Sequence, residues 1–304
     1  MNLFQALLGT VLPVFILAGL GYIARLKLKV EVRDPSRLAI YVMTPGLIMN
    51  SILTSQLNPV EVGKILGFGL LLCFIMITLT LSVGRLLGWN PRERNAAVLI
   101  TGFMNAANYG LPVVLLAFGQ AGFDRAAIFV VLQSLLMYSV AVFFAARGQM
   151  DWREAVKAVF RLPMVWATLV AMTIRISGIP MPDFIMKPIG LLASGAVVLV
   201  VILLGMQVAS IELKGALVKV AVTSTMRLAL SPLIGLALVW WLKPDPLTAR
   251  ILVLESAMPS AVNTTLLASE FGTEPDMVSG VALVTTLSSM ATVTFWVWYL
   301  QNYF

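Results

Sequence analysis

Two stretches hold the residues whose types and spacing could do chemistry. The first, Asn95 to Gly119, reads NAAVLITGFMNAANYGLPVVLLAFG and carries Asn105, Asn108, Gly110 and Pro112 at its centre. The second, Ala249 to Gly272, reads ARILVLESAMPSAVNTTLLASEFG and carries Pro259, Ser260, Asn263, Thr264 and Thr265. Each is long enough to cross a bilayer, which takes about 20 apolar residues. Proline has no N–H to give and crowds the carbonyl one turn back, so helix breaks are predicted near Pro112 and near Pro259. At a break, one half-helix offers free N–H groups and a positive dipole end, which favour an anion. The other half offers free carbonyls, which favour a cation. The Asn, Ser and Thr side chains around these ends can cap them or touch a ligand. Two interrupted apolar segments in corresponding positions of two halves point to a transporter binding site.

Glu255 and Arg227 are the ionisable residues deepest within apolar runs. An intramembrane charge is costly and marks a functional hypothesis with a partner to be named. At ~1.5 Å rise per residue, Arg227 lies roughly 14 Å from one end of its run and Glu255 roughly 9 Å from the opposite face. Their depths then fall about 7 Å apart in a ~30 Å core, within reach of a salt bridge. Two readings of Glu255 stand side by side: half of a structural pair with Arg227, or a carboxylate that couples transport to Na⁺ or H⁺. Pro45 and Asn50 mark a milder interruption elsewhere, and Asn50 is a further candidate for the crossing. Arg175 and Lys187 sit near span ends, where such side chains snorkel to the surface.

The elements that must position these residues are membrane helices. The chain has 304 residues, 60% hydrophobic and 12% charged, with a mean hydropathy of +0.94. Soluble domains run near 45–50% apolar and 25% charged, so the composition is that of an integral membrane protein. Ten spans are expected, at about 3–24, 38–54, 62–86, 96–119, 123–146, 162–178, 187–209, 218–242, 249–272 and 277–301. The apolar runs are continuous rather than alternating, which excludes a membrane barrel. Loops after the odd-numbered spans 1, 3, 5 and 7 carry 14 Lys and Arg, against 6 after spans 2, 4, 6 and 8. The positive-inside rule makes the first set cytoplasmic and puts both termini outside, in an inner (plasma) membrane protein. Trp89, Trp152, Trp240, Trp241, Trp296 and Trp298 fall near span ends, as an aromatic belt would place them.

The linker 147–161 divides the spans five and five, into a first repeat (1–146) and a second (162–304). An odd number of spans per half forces the halves into opposite orientations. FMNAANYGLPVVLLAFGQAGFD resembles AMPSAVNTTLLASEFGTEPD weakly, with the breaks aligned. The fold class expected is therefore all-α integral membrane, two inverted five-helix repeats with crossed broken helices 4 and 9.

In MNAANYGLPVV and AMPSAVNTTLLASEFGTEP the sequence is similar to bacterial members of the auxin efflux carrier family, which includes the plant PIN-type carriers. Asn105, Gly110 and Pro112 match that family's first motif and Pro259 its second. The resemblance runs over essentially the whole chain, without the long hydrophilic loop of the plant carriers. It implies a fold shared with bile-acid sodium symporters and sodium/proton antiporters. Spans 1, 2, 6 and 7 would form a scaffold, often a homodimer, and the other spans a moving transport domain. It also implies a secondary transporter of small organic anions such as malonate or auxin-like carboxylates. The elevator-type movement would run about a substrate site at Asn50, Asn105, Asn108, Tyr109, Gly110, Pro112, Pro259, Ser260, Asn263 and Thr264.

A channel or uncoupled facilitator is the alternative, to be distinguished by single-channel currents. An enzyme is disfavoured, because the chain has no His for serine–histidine or histidine–metal chemistry. No cofactor or metal is expected, and the net charge of +7 sits mostly in loops and is no nucleic-acid signature.

Overall fold

Short polar caps followed by proline start three of the helices, and proline after Leu162 starts a fourth. The side chains of Asn58 and Asn90 accept from the backbone N–H of Glu61 and Glu93, and Asp245 accepts from Leu247 and Thr248. Pro59, Pro91, Pro163 and Pro246 each sit at the first helical position, where a missing N–H costs nothing. The structure, a computed structural model, describes residues 2–146, 160–211 and 217–304.

In chain order the helices are α1 (Leu3–Lys27), α2 (33–54), α3 (Pro59–Leu86), α4 (Pro91–Gly102), α5 (106–118) and α6 (120–145). They continue as α7 (Pro163–Ser177), α8 (Asp183–Val208), α9 (Leu217–Leu242), α10 (Pro246–Ser256), α11 (Asn263–Phe271) and α12 (Pro275–Asn302). Among the described residues six helical stretches are long and apolar enough to cross a membrane: α1, α3, the continuous run Ala106–Ala145, α8, α9 and α12. Among the described residues there is no strand, only one isolated bridge, between Met104 and Ser260. Within Ala106–Ala145 the chain reverses at Gly119, whose φ of 66° and ψ of −166° suit glycine alone.

Four helices share one device. Single π turns at Leu7–Val11, Ala39–Met43, Ala106–Gly110 and Met226–Leu230 are each followed two residues later by Pro13, Pro45, Pro112 or Pro232. The wide ring moves aside the carbonyl that the proline would otherwise crowd. Proline is thereby accommodated without ending the helix. The expectation of a break near Pro112 is corrected on this ground: α4 stops at Gly102, and Pro112 lies in the first turn after a π turn.

Contacts between helix ends sort into two groups. On one side Arg92 donates to Gly272 O (3.0 Å), Thr273 to Ala145 O (2.6 Å) and Arg25 to Ser210 (3.3 Å), and Lys219 pairs with Glu93. On the other, Arg175 donates to Ile52 O and Leu57 O, Lys64 to Lys243 O, Arg125 pairs with Asp245, and Gln301 donates to Ala117 O. The first group gathers the ends that carry most of the basic residues. The linker expected at 147–161 falls almost wholly outside the described residues, and Trp152 with it. Trp89 and Trp296 are packed inside rather than in a belt, whereas Trp240 and Trp241 are exposed.

Asp245 ties the second group together. Burial would raise its carboxyl, but hydrogen bonds from the Thr248 side chain and backbone, a contact with Glu61 and the Arg125 guanidinium outweigh it and hold the group at about 2. The folded value lies below the ordinary one, so this cluster contributes above pH ~4 and its contribution fades as pH falls toward ~2. Asp245→Asn is expected to lower the melting temperature at pH 7 and to flatten its fall between pH 4 and 2. An unchanged acid limb would show that the cluster is not stabilising.

α1 and α8 approach so closely that backbones touch. A Cβ at Gly205 would fall 1.7 Å from Ala18 O, and one at Gly21 would fall 2.0 Å from Ile202 O. Small residues allow such approach, and packing drives association where lipid is as apolar as the side chains. Gly205→Ala is expected to destabilise by at least ~1–3 kcal/mol, the usual range for overpacking. Gly19→Ala, with nothing within 4 Å, is the neutral control. Equal detergent melting temperatures for the two variants would refute this contact.

Candidate functional site

The breaks after α4 and α10 meet. Asn105 N–H donates to Pro259 O (2.8 Å) and Ala261 N–H donates to Phe103 O (3.0 Å), a two-bond antiparallel bridge. Backbone that would be stranded by the breaks is thus satisfied by the opposite break, as burial requires. Ser260 fastens the joint: its hydroxyl donates to Ile100 O (2.6 Å) and its N–H donates to the Thr285 hydroxyl (3.2 Å). Pro259 lies in the break itself, as expected. Two half-helices end here, α4 and α10, and two begin, α5 and α11.

The two ends are met by Arg227. Wholly buried, its guanidinium donates to Thr101 O in the last turn of α4 (2.8 Å), to Ser256 O at the end of α10 and to the Ser231 hydroxyl. Ser231 donates to the same Ser256 carbonyl (2.8 Å). The salt bridge open to Arg227 and Glu255 is not formed. Arg227 is drawn to the negative ends of two helix dipoles, while the Glu255 carboxyl points to the opposite half-helix. It lies against Gly110, where a Cβ would come within 2.5 Å of Oε2, and neither carboxyl oxygen has a hydrogen-bond partner among the described residues. Glu255 is 0% exposed.

The two beginnings open on a cavity. Asn105, Asn108, Gln133, Ser134 and Asn263 line one part. An adjoining part shares Thr44, Asn108, Tyr138 and Asn263 and runs toward Ser36, Gln207 and Glu270, on the side of the more basic helix ends. The first N–H groups of α5, at 106–108, have no partner within their own helix, whereas in α11 Thr264 and Thr265 already donate to Ala261 O and Val262 O and leave the N–H of Asn263 at the helix start. Two amide side chains, Asn105 and Gln133, add unpartnered donors to them. Among the described residues Asn105, 5% exposed, has no partner for its Nδ2, and Gln133, 5% exposed, has none for either amide atom. Gln207 donates to Asn263 Oδ1 (3.1 Å) and leaves its own oxygen unpartnered. No Lys or Arg is among the described residues lining either part.

The expected site residues therefore divide. Asn105, Asn108 and Asn263 face the cavity. Ser260 and Thr264 are committed to backbone carbonyls of the joint, Thr264 to Ala261 O (2.7 Å). Tyr109 turns the other way, its ring edge-on to Phe15 at 5.9 Å, and Pro112 is buried beyond the turn. Asn50 does not reach the crossing; its Oδ1 faces Gly190 of α8. Gln133 and Gln207 were not among the expected residues, although each is a lone amide within a long apolar run and could have been singled out on that ground.

Apolar helices broken in pairs around a buried polar cavity define a membrane transport protein. A family described as membrane transport proteins matches residues 6–158 and 149–297. The chain belongs to this family, that of the auxin efflux carriers. It is 26% identical over 301 residues to a protein of Methanothermobacter thermautotrophicus named "Uncharacterized transporter", covering 97% of this chain and 98% of that one. A similarly named protein of Methanocaldococcus jannaschii is 25% identical over 309 residues, at 97% and 99% coverage. A Rhizobium meliloti protein named "Putative malonate transporter" is 24% identical over 306 residues, at 94% and 93%.

Proposed function

We propose that the chain is a secondary transporter of small organic anions, with ten spans in two inverted repeats and the carboxylate held at the crossing cavity. The observation that carries this reading is the convergence of two half-helix N-termini with the unpartnered amides of Asn105 and Gln133. Each N-terminus is equivalent to about +0.5 charge, so the pair amounts to roughly one positive charge, enough for one carboxylate without a basic side chain. The relative named for malonate supports a small carboxylate. Movement of the crossing against the α1–α8 scaffold would alternate access, and the exposed apolar face of α7, with Trp166, Leu169 and Ile176, is where a second copy would pack.

Purified protein melted with a panel of mono- and dicarboxylates tests the reading, since a ligand bound only by the folded state raises apparent stability. Saturable stabilisation by at least one carboxylate is expected. No response to any member, with no uptake into proteoliposomes, would refute it. Orientation is tested separately in a Cys73→Ser background. A cysteine replacing Tyr303 should react with an impermeant thiol reagent added to intact cells, and one replacing Leu87 should not. Both positions are exposed. Reversed labelling would invert the membrane orientation.

A further inference from the structure

We propose that α1 and α8 hold one anionic phospholipid, its phosphate at Arg25 and Lys29 and one acyl chain in the apolar cavity next to them. The proposal does not depend on which substrate is transported. An apolar cavity of about 190 Å³ lies between these two helices and those of the crossing. Phe15 and Gly19 of α1 and Leu204 of α8 form one wall, Tyr109 and Thr286 the other, and the surface they present is almost entirely carbon. Thr286 donates its hydroxyl to Ala282 O (2.7 Å). The cavity runs from Val14 to Tyr22, roughly 12 Å along α1. It reaches the outside past Tyr22 and Leu287, both exposed, and Leu287 lies roughly 18 Å into α12, close to the middle of that helix. Leu20 and Ile23, on either side of Tyr22, are exposed as well. At that depth the surrounding medium is lipid tail, as apolar as the side chains. An acyl chain is therefore what the opening meets.

At one end the same two helices turn polar. Tyr22 is followed within a turn by Arg25, and Val208 directly by Ala209 and Ser210; Arg25, Lys29, Glu31 and Ser210 line a second cavity there. Arg25 donates to Ser210 Oγ (3.3 Å) and Val30 O (3.2 Å) and pairs with Glu31 (3.1 Å), so its guanidinium is held in place at the cavity. Glu31 offsets only part of the charge. Residues 25–37 hold five Lys and Arg (Arg25, Lys27, Lys29, Arg33 and Arg37) against Glu31 and Asp34, a net +3. Lys29 stands at φ 55°, a left-handed conformation that glycine would adopt more easily, and the residue found there is a lysine. Basic pockets between membrane helices suit anionic headgroups. A free phosphate would use only the polar cavity, and an uncharged apolar molecule only the other. The two together, continuous along α1 and α8, match an amphiphile with a negative head.

The test needs no substrate. Delipidated full-length protein in detergent is titrated with dioleoyl phosphatidylglycerol or dioleoyl phosphatidylcholine, and bound lipid is counted by native mass spectrometry. Wild type should retain one phosphatidylglycerol, about ten-fold or more tighter than phosphatidylcholine, and glycerol 3-phosphate in large excess should not displace it. Lys29→Gln should weaken phosphatidylglycerol by about five-fold and leave phosphatidylcholine unchanged. Arg85→Gln removes an exposed charge at the end of α3, on the same side of the protein, and should change neither. Gly19→Leu should fill the apolar cavity, since a Cβ there meets nothing within 4 Å, and abolish saturable retention while the lipid-free melting temperature holds. Equal retention of the two lipids would overturn the proposal. So would equal losses in Lys29→Gln and Arg85→Gln, the behaviour of a diffuse charge effect, or wild-type retention by Gly19→Leu. Full displacement by glycerol 3-phosphate would leave a simple anion site and overturn the acyl-chain assignment. If Gly19→Leu does not fold, the Lys29→Gln and Arg85→Gln pair still decides.

Discussion

Asn105→Leu is expected to fold and insert normally while losing carboxylate binding and transport by at least about ten-fold. The bridge across the breaks is made by the main chain of Asn105, whose N–H reaches Pro259 O and whose carbonyl accepts from Tyr109 and Gly110. Leucine leaves all of that in place. What goes is an amide whose nitrogen has no protein partner and lines the cavity. A hydrogen bond to a charged group is worth ~1.5–3 kcal/mol, which corresponds to roughly 10- to 150-fold in affinity. Gln133→Leu should lose a similar factor. Ser260→Ala is the contrast: it removes the 2.6 Å bond to Ile100 O and should cost stability more than affinity. Calorimetric titration with the stabilising carboxylate, and its flux in proteoliposomes, separate the two. Wild-type binding by both Asn105→Leu and Gln133→Leu would place the anion elsewhere.

The sequence exposes the two interruptions because their signal is local. Proline lacks a donor, and polar residues are rare in apolar runs, so Pro259 and the Asn-rich stretch stand out without any knowledge of partners. The exact break in the first half was not local. Pro112 is absorbed by a π turn, as are Pro13, Pro45 and Pro232, and the chain opens instead at 103–105, where the opposite break supplies hydrogen bonds to Phe103 and Asn105. The roles of Tyr109 and Asn50 depend on helix rotation, which packing against Phe15 and Gly190 decides. Arg227 shows the same limit from the other direction. Depth along the membrane brought it near Glu255, but direction around the helix sends its guanidinium to the carbonyl ends.

Glu255→Gln is expected to fold, to retain exchange of the bound carboxylate down its gradient, and to lose accumulation driven by a pH gradient. With Arg227 engaged by carbonyls, substituting Glu255 strands no cation, so the collapse that a structural pair would predict is not expected. The carboxyl is 0% exposed and neither oxygen is hydrogen-bonded among the described residues. A buried charge is tolerated only when paired, and no group among the described residues pairs with this carboxyl. Glutamine keeps the shape of the side chain and cannot exchange a proton. The carboxyl also touches Gly110 in the first turns of α5, the helix proposed above to present the anion, so a change of its charge would be felt at the proposed site. Gly110→Ala, which would place a methyl 2.5 Å from Oε2, should disturb the same step while leaving Glu255 titratable. The measurements are counterflow and pH-driven uptake on one preparation of each variant. Full pH-driven accumulation by a stable Glu255→Gln protein would remove the carboxyl from the coupling step, and loss of counterflow together with accumulation would make it a substrate-site residue instead.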